Sequence, residues 1–230
     1  MQAQDVMTTR VVSVSEDAPV HEVLTELMKH RISAVPVVDD AQQVVGIISE
    51  GDLLRPEGKG RTALERPWWL EAVFSGKTVE YQKASGRTAG SVMTRNVFTV
   101  EEDMPLTEIA ELLERHHIKR VPVLRGGKLA GIVSRANLLH GLANIIVERH
   151  EPGAAEDREL RNELLEILLK QHELDPVLVN VTVSDGNVRL WGIVENTDEA
   201  KAAEQAAKTL PGVKSVTNNL GPGPLSGVPV

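Results

Sequence analysis

The chain has no cysteine. That excludes disulfides, thiolate metal ligands and thiol nucleophiles, and it fits a reducing compartment. Aromatics are almost as scarce, with two Phe, one Tyr and three Trp in 230 residues. Any core must therefore be assembled from Val, Leu, Ile and Ala. No apolar run approaches the roughly 20 residues that a membrane-spanning helix needs. The start, Met1-Gln2-Ala3-Gln4-Asp5, lacks the basic and apolar regions of a secretory signal. A cytoplasmic location is expected, with any membrane contact peripheral. Net positive charge is also missing: the formal charge is −8, with a mildly basic middle between acidic ends, which argues against a general nucleic-acid binder. There is no Gly-rich phosphate loop ending in Lys, no nucleophile elbow and no metal-ligand spacing. His116-His117 are adjacent and would point apart on a helix. Neither an enzymatic activity nor a metal site is expected.

What is present is a repeat. Val6-Met7-Thr8 returns as Val92-Met93-Thr94, Pro19-Val20 as Pro105-Leu106, and Ile32-x-x-Val35-Pro36-Val37 as Ile118-x-x-Val121-Pro122-Val123. Gly46-Ile47-Ile48-Ser49 returns as Gly131-Ile132-Val133-Ser134, one residue early. The deletion falls in the turn before it, where it costs least. Each copy reads as a short strand, an amphipathic helix, two apolar strands and a helix opening after the Ser. The helical stripes are Val20, Val23, Leu24, Leu27, Met28 and Leu106, Ile109, Ala110, Leu113. Apolar strands without alternation imply burial on both faces, and the Pro inside each places that strand at an edge or bulge. One such βαββα unit buries a thin core, so a pseudo-twofold pair within one chain is expected.

The repeats are bounded at residues 1–55 and 91–147. Residues 56–90 form an insertion holding Trp68-Trp69, expected to be a short helix docked on a repeat of its own chain or, as the alternative, on another subunit. Residues 148–156 are a polar linker with Pro152-Gly153. Beyond it, Leu160, Leu164, Ile167 and Leu168 mark a helix. Val177 to Ser184 alternates as a half-buried strand, and Asp185-Gly186 is a hairpin turn. Val188 to Val194 is its partner, with Trp191 read as core. Asn196 with Glu199 caps an Ala-rich helix, and Val213 to Val216 is a last strand. Residues 157–221 thus form a small αββαβ domain, with a flexible tail at 222–230.

The doubled "Val-Pro-Val … Gly-Ile-Ile-Ser-x-x-Asp" pattern resembles the CBS domain family, here as the tandem often called a Bateman module. The Asp185-Gly186-x-Val188 hairpin, Leu190-x-Gly192-x-Val194 and Pro211-Gly212-Val213-x-x-Val216-x-Asn218 resemble the BON family. The fold class is therefore α+β or α/β: a pair of CBS-like units plus a BON-like domain. The resemblance implies a regulatory module that binds AMP, ADP, ATP or another adenosyl ligand in clefts between repeats, assembles as a homodimer and requires no cofactor. It implies that the Ser hydroxyl meets phosphate and the Asp holds ribose hydroxyls. It also implies a protein partner or peripheral membrane contact through residues 157–221.

Read on their own terms, Ser49 and Ser134 each place a hydroxyl at a helix start, and Asp52 lies one turn on. The same Ser-x-x-Asp is also an ordinary cap. Ile32, Ser33, Val35, Pro36 and Ile47 offer an apolar slot beside the first set, and Ile118, Val121, Pro122 and Ile132 one beside the second. Thr8 and Thr94 match a family position that lines the ligand. The second copy has Asn137 in place of the acid and adds Lys119-Arg120, which suits a more anionic ligand. One or two nucleotide sites, of unequal affinity, are expected. The alternative is a dimeric scaffold with a vestigial cleft, whose BON-like domain docks on a membrane or protein.

Overall fold

The structure, a computed structural model, describes residues 1–54, 87–148, 155–171, 174 and 178–223. The expectations for Trp68-Trp69, for the linker around Pro152 and for the tail beyond Gly223 lie outside the described residues. No helix among the described residues is long and apolar enough to cross a membrane. The chain divides into two compact units, residues 11–98 with 126–129, and residues 1–10, 99–125 and 130–230.

In the first unit the order is β1 (Val14–Ser15), α2 (Val20–Lys29), β2 (Ala34–Val38), β3 (Val44–Ser49), α3 (Glu50–Leu54) and α4 (Ala89–Val92). In the second it is α1 (Ala3–Val6), β4 (Val100–Glu101), α5 (Leu106–Arg115), β5 (Arg120–Arg125), β6 (Lys128–Ser134) and α6 (Arg135–Glu148). Each repeat is thus βαββα with a three-stranded sheet, in the orders β1-β2-β3 and β4-β5-β6. Val20, Val23 and Leu27 of α2 are buried against Val35, Val37 and Ile48. Leu106, Ile109 and Leu113 of α5 are buried with Val121, Val123 and Val133. The stripe is narrower than the sequence implies: Met28 is 79% exposed and Ala110 is exposed.

Of the two places expected for the Pro-bearing strand, an edge or a bulge, the edge is corrected, while the register of β2 with β3 does shift between Val37 and Val38. β2 and β5 are central. Pro36 pairs with Ile47 across β3, but the N–H and C=O of Ile47 both turn away to Thr94, at 3.0 and 2.9 Å. Pro36 therefore sits at a pair where no bond crosses to β3, and its nitrogen faces the β1 side. β1 reaches only Val37 and Val38, so no donor is needed there. A short neighbour makes the Pro harmless.

The second unit continues with α7 (Ala155–Gln171), β7 (Val179–Ser184), β8 (Asn187–Val194), α8 (Thr197–Thr209) and β9 (Ser215–Pro222), the αββαβ order, in a sheet β7-β8-β9. Asp185 and Gly186 take φ of 49° and 74°, the signs a two-residue hairpin turn requires. Asn196 Oδ1 accepts the N–H groups of Asp198 and Glu199 and caps α8. Leu164, Leu168, Val181, Leu190 and Ala203 form the core. Two expectations change here. β9 runs on through Gly221 and Pro222, which pair with Ile193 and Val194, because parallel pairing along all of β8 extends it. A Pro is tolerated at the end of an edge strand. And β7 is not half-buried: Asn180, Thr182 and Ser184 are 4%, 0% and 1% exposed. Its polar face is covered by α1 and α6.

Candidate functional site

The candidate residues fall into two sets, each within one unit. The first holds Ile32, Ser33, Val35, Pro36, Ile47, Ser49, Asp52 and Thr94. The second holds Thr8, Ile118, Lys119, Arg120, Val121, Pro122, Ile132, Ser134 and Asn137. Each set takes its Thr from the start of the other repeat. Thr94 exchanges backbone hydrogen bonds with Ile47, at 3.0 and 2.9 Å, and Thr8 with Ile132, both at 3.0 Å. The two glycines of the motif make this approach possible: a Cβ on Gly46 would collide with Met93 Sδ, and one on Gly131 with Met7 Sδ.

In the first set, Asp52 Oδ2 accepts the Ser49 N–H at 2.8 Å and the Ser49 hydroxyl at 2.5 Å. Asp52 Oδ1 accepts the Thr94 hydroxyl at 3.1 Å. The carboxylate is thus both a helix cap and the meeting point of two segments. The N–H of Glu50 donates to Ser33 O at 3.1 Å, fixing the entrance of α3. Ile32 and Ser33 line a groove of about 510 Å³ with Leu24, Leu27, Met28, Arg31, Glu50 and Leu53. Val35 is fully buried among the core side chains and pairs with Ile48 across the sheet.

The second set repeats the frame. Arg135 N–H donates to Lys119 O at 3.1 Å. Asn137 Oδ1 accepts the Ser134 N–H at 2.8 Å and hydroxyl at 2.5 Å. Its other end differs: Asn137 Nδ2 donates to Val6 O at 2.8 Å. Asn137 is 3% exposed and Val121 fully buried, whereas Lys119 is exposed and Arg120 half-buried.

Two residues that the motif reading missed, Arg161 and Asn180, converge on the Val6–Thr8 segment. Arg161 of α7 is 2% exposed. Its Nε donates to Val181 O at 2.7 Å, and its Nη2 donates to Met7 O at 2.7 Å and to Asn180 Oδ1 at 3.1 Å. Burial lowers the pKa of this guanidinium to about 10, partly offset by the nearby Asp5 carboxylate. Asn180 Nδ2 donates to Val6 O at 3.1 Å and to Thr8 Oγ1 at 3.4 Å. Trp191, read as core, instead stacks on His140 of α6, ring centroids 3.7 Å apart and 17° from parallel. The available signals were a charge beside the Leu160 stripe and an amide inside a valine strand.

Family models describe the same segments: the CBS domain matches residues 3–56 and 89–144, and the BON domain residues 156–221. The CBS domain-containing protein CBSX1, chloroplastic, of Arabidopsis thaliana is 33% identical over 57% of this chain and 59% of its own length. The uncharacterized protein MJ1426 of Methanocaldococcus jannaschii is 30% identical over 62% of this chain and 91% of its own. Among solved structures, the CBS-pair protein CBSX2 from Arabidopsis thaliana aligns with a TM-score of 0.50 at 28% identity, covering 63% of this chain and 96% of that one. A structure of CBSX2 in complex with AMP aligns at 26% identity and a TM-score of 0.48, covering 63% and 98%. The chain belongs to the CBS domain family, as a tandem CBS pair followed by a BON domain.

Proposed function

We propose that the chain is a regulatory sensor of an adenosyl ligand, of the AMP, ADP, ATP or S-adenosylmethionine class, and that Ser49, Asp52 and Thr94 hold it. The observation that carries this reading is the Asp52 carboxylate, gripped from two segments. A carboxylate offers about four acceptor sites, and three donors now use them. Thr94, the donor from the distant segment, is exposed. A ribose hydroxyl replaces the Thr94 hydroxyl like for like, leaving no acceptor stranded. The freed Thr94 hydroxyl is then available to phosphate, beside the Ser49 hydroxyl at the start of α3. Ile32, Ser33, Pro36 and Ile47 supply the surface on which the base lies.

In this reading ligand occupancy is passed to the BON domain or to a protein partner. A homodimer belongs to the same reading, supported by exposed apolar side chains: Met28 at 79%, Leu139 at 67% and Leu142 at 49%. Calorimetric titration of the full chain with AMP, ADP, ATP and S-adenosylmethionine tests the sensor. Saturable binding that Asp52→Ala removes supports it. Silence with all four ligands to millimolar concentration rejects it.

A further inference from the structure

We infer that the second half-site is the seat of the chain's own C-terminal domain, and that nucleotide binding is confined to the first. The ligand half of this inference rests on the reading of Asp52 above; the seat itself does not.

The replacement of acid by amide is the first observation. Both ends of Asn137 are committed, Oδ1 to Ser134 and Nδ2 to Val6 O. A carboxylate in that place has no proton to give, and it would face a carbonyl oxygen across 2.8 Å. Asn137 thus ties down the Val6–Thr8 segment instead of offering an acceptor to a diol.

The second observation is what lies on the tied segment. Val6 O receives Asn180 Nδ2 as well as Asn137, Met7 O receives Arg161, and the Thr8 hydroxyl receives Asn180. Thr94, the counterpart of Thr8, is exposed, whereas Thr8 is half-buried. The polar atoms that a nucleotide would meet at this half-site are taken by an amide and a guanidinium of the C-terminal domain.

The third is how the domain is built for it. Cross-strand pairing puts Asn180 beside Trp191, Thr182 beside Arg189 and Ser184 beside Asn187, so one sheet face is polar while the other carries the Val and Leu core. The β7 side of that face is buried and the β8 side, Asn187, Arg189 and Trp191, is half-buried. On the outer edge of β7, Val181 N–H is bonded by Asn180 Oδ1 at 2.8 Å and Val181 O by Arg161, so the edge is closed by the same two side chains. At its rim, Arg158 Nε donates to Asp5 at 2.7 Å and its Nη2 to Gln2 at 2.9 Å. A buried guanidinium without a carboxylate in direct contact is costly to keep. Two backbone carbonyls, one from each side, account for it here.

Hydrogen exchange on the full chain, read together with an AMP titration, tests the inference. Asn180→Ala and the conservative Arg161→Lys are expected to raise exchange in residues 4–9 and 179–182 several-fold while residues 34–49 stay unchanged. AMP is expected to saturate at one equivalent per chain and to leave exchange at 179–182 unaltered. Folded variants with unchanged exchange at 4–9 overturn the seat, as does a second AMP equivalent that Ser134→Ala removes. Should AMP not bind at all, the Asp52 reading falls, and the exchange data still decide the seat.

Discussion

In the first half-site the Thr94 hydroxyl donates to a carboxylate; in the second the Thr8 hydroxyl accepts from an amide of another domain. The frames are the same, with Ser33 O or Lys119 O holding the helix start and Ser49 or Ser134 bonded one turn on. The difference begins at a single group. An oxygen of Asp52 becomes the NH₂ of Asn137, so an acceptor that suits hydroxyls becomes a donor that suits carbonyls. The surroundings diverge with it. The positions of Met28, Ser33 and Glu50 beside the first half-site's groove are held by Glu114, Lys119 and Arg135 in the second, where Glu114 and Arg135 pair at 3.9 Å. Repetition supplied two copies of one frame, and side-chain polarity left one with an exposed Thr94 and gave the other to the C-terminal domain.

The largest effect that would break this contrast is expected from Arg161→Ala. It strips a donor from Val181 O and Met7 O in a buried place, and should cost about 3 kcal/mol, read as a lower denaturation midpoint of the C-terminal domain. Asp52→Ala should weaken AMP about tenfold to a hundredfold, the worth of one or two hydrogen bonds to a charged group. Asn137→Ala should leave AMP affinity within about twofold while lowering stability; calorimetry reads both. Gly131→Ala should cost more than Gly46→Ala, by about 1 kcal/mol. The three atoms nearest a new methyl at Gly46 all belong to the Met93 side chain, whereas those at Gly131 include the Thr8 carbonyl at 3.1 Å; urea denaturation compares the two.

The smallest effect concerns pH. Burial first, then the charge of Arg189, lowers the His140 pKa. The docked state therefore binds fewer protons than the undocked one. Docking is at full strength above the ordinary histidine value of about 6.5, and it weakens as pH falls through the lowered value. Exchange at residues 179–182 should rise modestly between about pH 7.5 and 5, and His140→Gln should flatten that rise.

Much of the fold could be read from periodicity. The stripe of α2, the turn at Asp185-Gly186 and the Asn196 cap are local, and local spacing reports them faithfully. Pro36 misled because its tolerance depends on where a two-residue neighbour stops, which no spacing encodes. The alternation from Val177 to Ser184 correctly marked two faces, but it could not say that Asn180 and Thr182 are covered by a helix far away in the chain. The asymmetry of Asp52 and Asn137 was legible as composition. Its meaning needed Val6 O and Arg161, whose positions depend on long-range pairing.

The exchange of opening segments between repeats also bears on the order in which the molecule can be made. Residues 1–10 leave the ribosome ahead of the distant groups they bind: Met104, Ile132, Asn137, Arg158, Arg161 and Asn180 all follow at least 90 residues later. At synthesis rates of about 5–20 residues per second, that wait is on the order of ten seconds. The described residues of 11–98 lie in one unit with only 126–129 from later in the chain and can close first. The half-site that holds Asp52 is thus complete during synthesis. The half-site that holds Asn137 is finished only when the last domain arrives to close it, and these long-range closures should be the slow step of folding.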